Sequence, residues 1–106
     1  MKTGNITLSE LAVADILEQA DWYEARAGQT LAKRWEKAVT STLVRISRGP
    51  NAGAPCSFEA VDLRGTRRMP VAGFPRHLVF YQFRQGEILV LRVVHGARDL
   101  ESLFSG

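Results

Sequence analysis

His77-Leu78-Val79-Phe80-Tyr81-Gln82-Phe83, then Arg84-Gln85-Gly86-Glu87, then Ile88-Leu89-Val90-Leu91-Arg92-Val93-Val94-His95: this run decides how the chain folds. Two segments rich in β-branched and aromatic residues flank a short glycine-containing loop, which predicts a β-hairpin. Both segments are almost continuously apolar, so they are expected to be central strands covered on much of both faces. Strict alternation would place His77, Val79, Tyr81 and Phe83 on one face of the first strand. On the second, Leu89, Leu91, Val93 and His95 would oppose Ile88, Val90, Arg92 and Val94. Depending on register, Tyr81 comes near Arg92 or His95.

Working outward, residues 49–57 are turn chemistry throughout. Residues 59–63 read as a short strand, Gly65 as a turn, and 67–71 as extended chain in which Pro70 demands an edge or a strand end. Residues 99–104 read as a last helical turn or an extended tail. Further upstream the period changes to helical. Ser9 can cap a helix starting at Glu10, and Leu8, Ala12, Ile16, Ala20 and Tyr23 recur at three- and four-residue steps until Gly28. Leu31, Trp35, Ala38, Val39, Thr42, Leu43 and Ile46 form the apolar stripe of a second helix, stopped by Gly49 and Pro50. A linker of about four residues would make the two an antiparallel helical hairpin. The expected fold is therefore α+β: one domain, 1–106, with a helical hairpin packed on a three- to four-stranded antiparallel sheet.

Composition agrees with a globular chain: 45% apolar, 24% charged, and no apolar run long enough to span a bilayer. The first nine residues have one lysine and no apolar block, so a secretory signal is not expected and the cytoplasm is the predicted compartment. Cys56 stands alone, without partners at disulfide or metal spacing, and reads as a free thiol. Net charge is only +3, but its sign is segmented. Glu10, Asp15, Glu18, Asp21 and Glu24 make the first helix acidic. Lys33, Arg34, Lys37, Arg45 and Arg48 make the second basic, as a solvated face commonly is, and the opposed charges favour the pairing. Arg64, Arg67, Arg68 and Arg76 then follow with Asp62 as their one acid.

No glycine-rich phosphate loop, HExxH, GxSxG or paired Cys/His set occurs, so neither a metal nor a cofactor is expected. What remains is a set of Arg, His and Tyr side chains on or beside the strands. A buried Tyr81 with a wetted hydroxyl, a His95 bonded to backbone and an Arg98–Asp99 pair pinning the tail are each ordinary structural uses. The four clustered arginines are harder to explain as structure, and fit recognition of phosphate or acidic peptide.

After the helical hairpin come Leu63-Arg64-Gly65-Thr66-Arg67-Arg68-Met69-Pro70-Val71, Arg76-His77-Leu78-Val79-Phe80-Tyr81 and Val90-Leu91-Arg92-Val93-Val94-His95-Gly96-Ala97-Arg98-Asp99. In that order they resemble the RelE/ParE toxins of bacterial type II toxin-antitoxin systems along nearly the whole chain. The resemblance implies a short edge strand before the helices, at residues 5–8. It also implies growth arrest, a role in plasmid stabilisation, and a cognate antitoxin with a DNA-binding N-terminal domain and a C-terminal segment that wraps the toxin. Two activities occur in the superfamily. RelE-like members cleave messenger RNA on the ribosome, which would make Arg64, Arg76, Tyr81, Arg92 and His95 the catalytic set. ParE-like members inhibit DNA gyrase by binding, which would assign no catalytic residue and make Arg64, Arg67, Arg68, Arg76, His77 and Arg98 target contacts. The absence of lysine after Cys56, an ending without Tyr or His, and the Arg-Met-Pro-Val and His-Gly-Ala-Arg-Asp blocks look closer to ParE. A gyrase poison is thus the expectation, a ribosome-dependent endoribonuclease the alternative. A non-toxic basic nucleic-acid-binding module ranks third, because only Tyr81 and Phe83 could serve as stacking platforms.

Overall fold

The computed structural model describes residues 5–96. Strand β1 (Asn5–Leu8) leads into helices α1 (Glu10–Ala27) and α2 (Gln29–Arg48). A two-residue strand β2 (Ala54–Pro55), a 3-10 turn (Val61–Leu63) and strands β3 (Arg67–Val71), β4 (Phe74–Arg84) and β5 (Glu87–His95) follow. The strands form one sheet in the order β1-β5-β4-β3-β2, antiparallel except for β1, which runs parallel to β5. The α+β architecture thus matches the expectation, with five strands where three or four were anticipated. The extra one is β2, two residues drawn from the turn-rich connector.

Both helices start and stop where their side chains dictate. Ser9 caps α1, its hydroxyl accepting from the Ala12 N–H at 3.0 Å. The anticipated four-residue linker contracts to one residue: Gly28, at φ 88°, reverses the chain between the helices. Only glycine adopts that backbone without strain. Trp35, Val39 and Ile46 of α2 are buried with Ala12 and Ala20 of α1 against Val79, Tyr81, Ile88, Val90 and Val93 of the sheet. The Trp35 indole also donates to the Ile16 carbonyl at 3.1 Å, locking the helices together. Among the described residues no salt bridge joins the acidic helix to the basic one, so apolar burial, not charge, carries their pairing.

Two local departures reshape the sheet. Residues 59–63, expected as a strand, form a bend that leads into the 3-10 turn, and residues 58–66 cover the sheet face away from the helices. There Phe58 packs on Phe80 with ring centroids 6.3 Å apart, and the Gln82 amide donates to the Asp62 carbonyl and the Thr66 hydroxyl. This cover explains why β4 is apolar on both faces. In β5, Phe80 pairs with Arg92 but Tyr81 pairs with Val90, leaving Leu91 as a bulge. The phase of alternation therefore breaks: Ile88, Val90 and Val93 all face the helices, contrary to the strict pattern. Pro70 lies beyond the two positions of β3 that β2 covers, at an open edge as a proline requires.

Candidate functional site

Each predicted polar residue within residues 5–96 has a definite place, and several places are structural. Tyr81 is fully buried; its hydroxyl accepts from the Gly53 N–H at 3.0 Å and donates to the Pro50 carbonyl at 2.8 Å. Burial pushes this phenol above its ordinary pKa, against the opposing pull of the Gly53 bond and Arg67. Arg67 serves the same loop, donating to the carbonyls of Asn51 and Gly53 at 3.1 and 2.7 Å. A Cβ at Gly53 would stand 2.9 Å from the Arg68 carbonyl and closer still to the Tyr81 hydroxyl, so only glycine fits beneath that ring. Together Tyr81 and Arg67 hold residues 50–53 against the sheet and so deliver β2 to β3.

Arg92 belongs to a second structural set. Its guanidinium grips Asp15 of α1 in a two-pronged pair at 2.8 and 2.9 Å, and Asp15 also accepts the Val93 N–H at 3.0 Å. The Asp15 bond raises the Arg92 pKa further. These bonds satisfy the β5 edge beyond the end of β1, next to the Ser9 hydroxyl that donates to the Leu91 carbonyl. His77 packs against Trp35 and Tyr23, with its ring 5.5 Å from that of His95. Burial, then the neighbouring His95, holds its pKa below the usual histidine value.

The structure does not bring Tyr81 to Arg92 or His95: Tyr81 is bonded into the 50–53 loop, Arg92 to Asp15, and His95 pairs with His77. Arg64 is exposed at the end of the 3-10 turn, where its carbonyl accepts from Arg84. Of the five residues that nuclease chemistry would use, Arg76 and His95 line one hollow of about 390 Å³ with Pro75, Leu78 and Gly96. Arg98 lies outside the described residues, as do Asp99 and residues 99–104.

What does form is a groove of about 490 Å³ along the open edge of β3. Its apolar lining includes Met69, Pro70, Val71 and Leu78, and Arg45 and Arg68 contribute its cations. The Thr42 hydroxyl fixes this geometry by donating to the Ala38 carbonyl and accepting the Ala72 N–H, which ties the last turns of α2 to the end of β3. Through Pro75 and Leu78 the groove meets the hollow that holds Arg76. Arg68 also approaches the Cys56 sulfur at 4.0 Å, drawing down a thiol pKa that burial raises on balance. An apolar floor flanked by the exposed guanidinium groups of Arg45 and Arg68 suits a ligand that offers apolar side chains together with carboxylates or phosphates. Arg45 was legible only as part of a solvated helical face; its position in the last turn before Gly49-Pro50 was the available signal.

A family model described as ParE toxin of the type II toxin-antitoxin system, parDE, matches residues 6–100. Among solved structures, the fold is similar to a chain of the chromosomal ParDE toxin-antitoxin system from P. aeruginosa, at TM-score 0.72 and 18% identity over 88% of this chain and 96% of that one. It is also similar to a chain of the YoeB-YefM complex from Staphylococcus aureus, at TM-score 0.53 and 17% identity over 86% and 94%. No curated protein matches the sequence. With nearly its full length matched and its two-helix, five-stranded fold shared, the chain belongs to the ParE toxin family of type II toxin-antitoxin systems.

Proposed function

We propose that this protein is a cytoplasmic growth-arrest toxin that inhibits DNA gyrase by binding and is neutralised by a cognate antitoxin with a DNA-binding N-terminal domain. The observation that carries this reading is the cationic, apolar-floored groove of Arg45 and Arg68 with Arg76 beside it, a surface suited to binding. Support also comes from the other members of the nuclease set: Tyr81 and Arg92 are committed to loop and helix, which leaves them poorly placed to move protons or stabilise a phosphorane. Purified protein should block supercoiling by gyrase or trap cleaved DNA, and should leave ribosome-bound messenger RNA uncut. Arg45→Ala, Arg68→Ala and Arg76→Ala should each weaken inhibition in a graded way, by about tenfold, equivalent to about 1.4 kcal/mol.

The shared hollow of Arg76 and His95 favours a second reading, a ribosome-dependent endoribonuclease. Primer extension on translated messenger RNA decides between them. New ends at the ribosomal A site, abolished by Arg76→Ala or His95→Ala with the fold intact, would replace the gyrase reading.

A further inference from the structure

The acidic side of the molecule carries a separate site. Leu11, Asp15, Glu18 and Trp22 are spaced i, i+4, i+7 and i+11 and so lie along one stripe of α1. This stripe is not apolar core: Leu11 is 58% exposed and Trp22 51%. Glu18, Gln19 and Trp22 form one wall of a cleft of about 230 Å³, and His77, Val93 and His95 form the other. That volume is below the roughly 300–1,000 Å³ of small-molecule sites and suits one long side chain.

The charge of the cleft has a definite sign. Asp15 is also in its wall, but both its oxygens are taken by Arg92 and the Val93 N–H; Glu18 feels the charge of Arg92 but, among the described residues, makes no direct ion pair, and is the exposed carboxylate of the cleft. Glu10, Asp21 and Glu24 of the same helix add negative potential against Arg26 alone. The indole of Trp22 already accepts a cation, since the Arg26 guanidinium carbon stands 4.4 Å from its ring centroid. A carboxylate, an electron-rich ring and apolar neighbours converge on one small opening.

We propose that this cleft receives a single lysine or arginine side chain, presented by a partner protein on an apolar segment that covers Leu11 and Trp22. An acidic partner would be repelled by the whole of α1. The proposal is independent of the gyrase reading, because it concerns the opposite charge and other residues.

Calorimetric titration of the full chain with two helical peptides tests it, one repeating leucine and lysine and the other leucine and glutamate at the same positions. At low salt the lysine peptide should bind at least about tenfold tighter, and added salt should narrow the difference. Glu18→Lys should cost about tenfold or more, Glu18→Gln and Trp22→Ala should each weaken binding, and Glu24→Lys, off the stripe, should cost less than about threefold. Glu18 and Trp22 are exposed, so circular dichroism should show these variants folded. Equal binding of both peptides, no binding of either, or full affinity in Glu18→Lys would overturn the proposal. Self-association of the wild-type chain that Glu18→Lys abolishes would overturn it too, by making a second copy the occupant.

Discussion

Asp15 shows how one side chain can be bound into two layers at once. It accepts three hydrogen bonds, two from Arg92 and one from the Val93 backbone, and both members of the pair are about nine-tenths buried. Removing one partner leaves a buried charge, so Asp15→Ala should cost about 3–5 kcal/mol in urea denaturation. The double replacement Asp15→Ala with Arg92→Met should recover a large share of that loss, the mark of a coupled pair. Tyr81 is a milder case. Tyr81→Phe strands the Gly53 N–H and the Pro50 carbonyl and should cost about 1–3 kcal/mol, with any loss of toxicity following the loss of folded protein. Trp35 is wholly buried between α1 and the sheet, and Trp35→Ala should cost about 3–5 kcal/mol by chemical denaturation. A change below about 1 kcal/mol would mean that the core does not rest on this ring.

Among the elements, the ends of β4 and β5 respond to acid through His77. Its folded-state pKa is depressed, while the unfolded chain keeps the ordinary value near 6.5, so the unfolded state takes up the proton first as pH falls. This residue's contribution to stability is therefore complete above about pH 6.5 and declines as pH drops through the folded value. The urea midpoint should be lower at pH 5.5 than at 7.5, and His77→Gln should flatten that difference. The helical hairpin has its own weak point at Gly28. No neighbour lies within 4 Å of a Cβ there, so Gly28→Ala pays only for a positive-φ, extended-ψ backbone that other residues rarely adopt, about 1–3 kcal/mol measured as a shift in denaturation midpoint.

For the molecule as a whole, charge is segregated by layer. The acidic outer side of α1 and the arginine-flanked groove at the free edge of β3 lie on different elements, separated by the core built around Trp35. Expression of the chain alone should arrest bacterial growth, and co-expression of an adjacent antitoxin should restore it. Normal growth with verified soluble protein would count against toxicity. If both surfaces are used, charge reversal at Glu18 and at Arg68 should act on different partners. Glu18→Lys should leave gyrase inhibition unchanged, and Arg68→Glu should leave binding of the lysine-rich peptide unchanged.

Local chemistry alone determined the helices, the β4–β5 hairpin and the α+β class. Ser9, Gly28 and Gly49-Pro50 punctuate the chain by backbone rules that act within a few residues, and Trp35, Val39 and Ile46 repeat at the helical period. Even the open edge at Pro70 followed from its missing N–H. Tertiary structure decided the rest. The Leu91 bulge shifted the phase of β5, and residues 59–63 became a turn because Phe58 and the Asp62 carbonyl meet Phe80 and Gln82 across the sheet. The arginines looked alike as a series in sequence. Which of them are structural depended on what the fold set beside them: carbonyls of the 50–53 loop for Arg67, a carboxylate 77 residues away for Arg92, and an apolar groove for Arg45 and Arg68. A side chain's type travels with its position in the chain, whereas its partner is supplied by segments that only folding brings near.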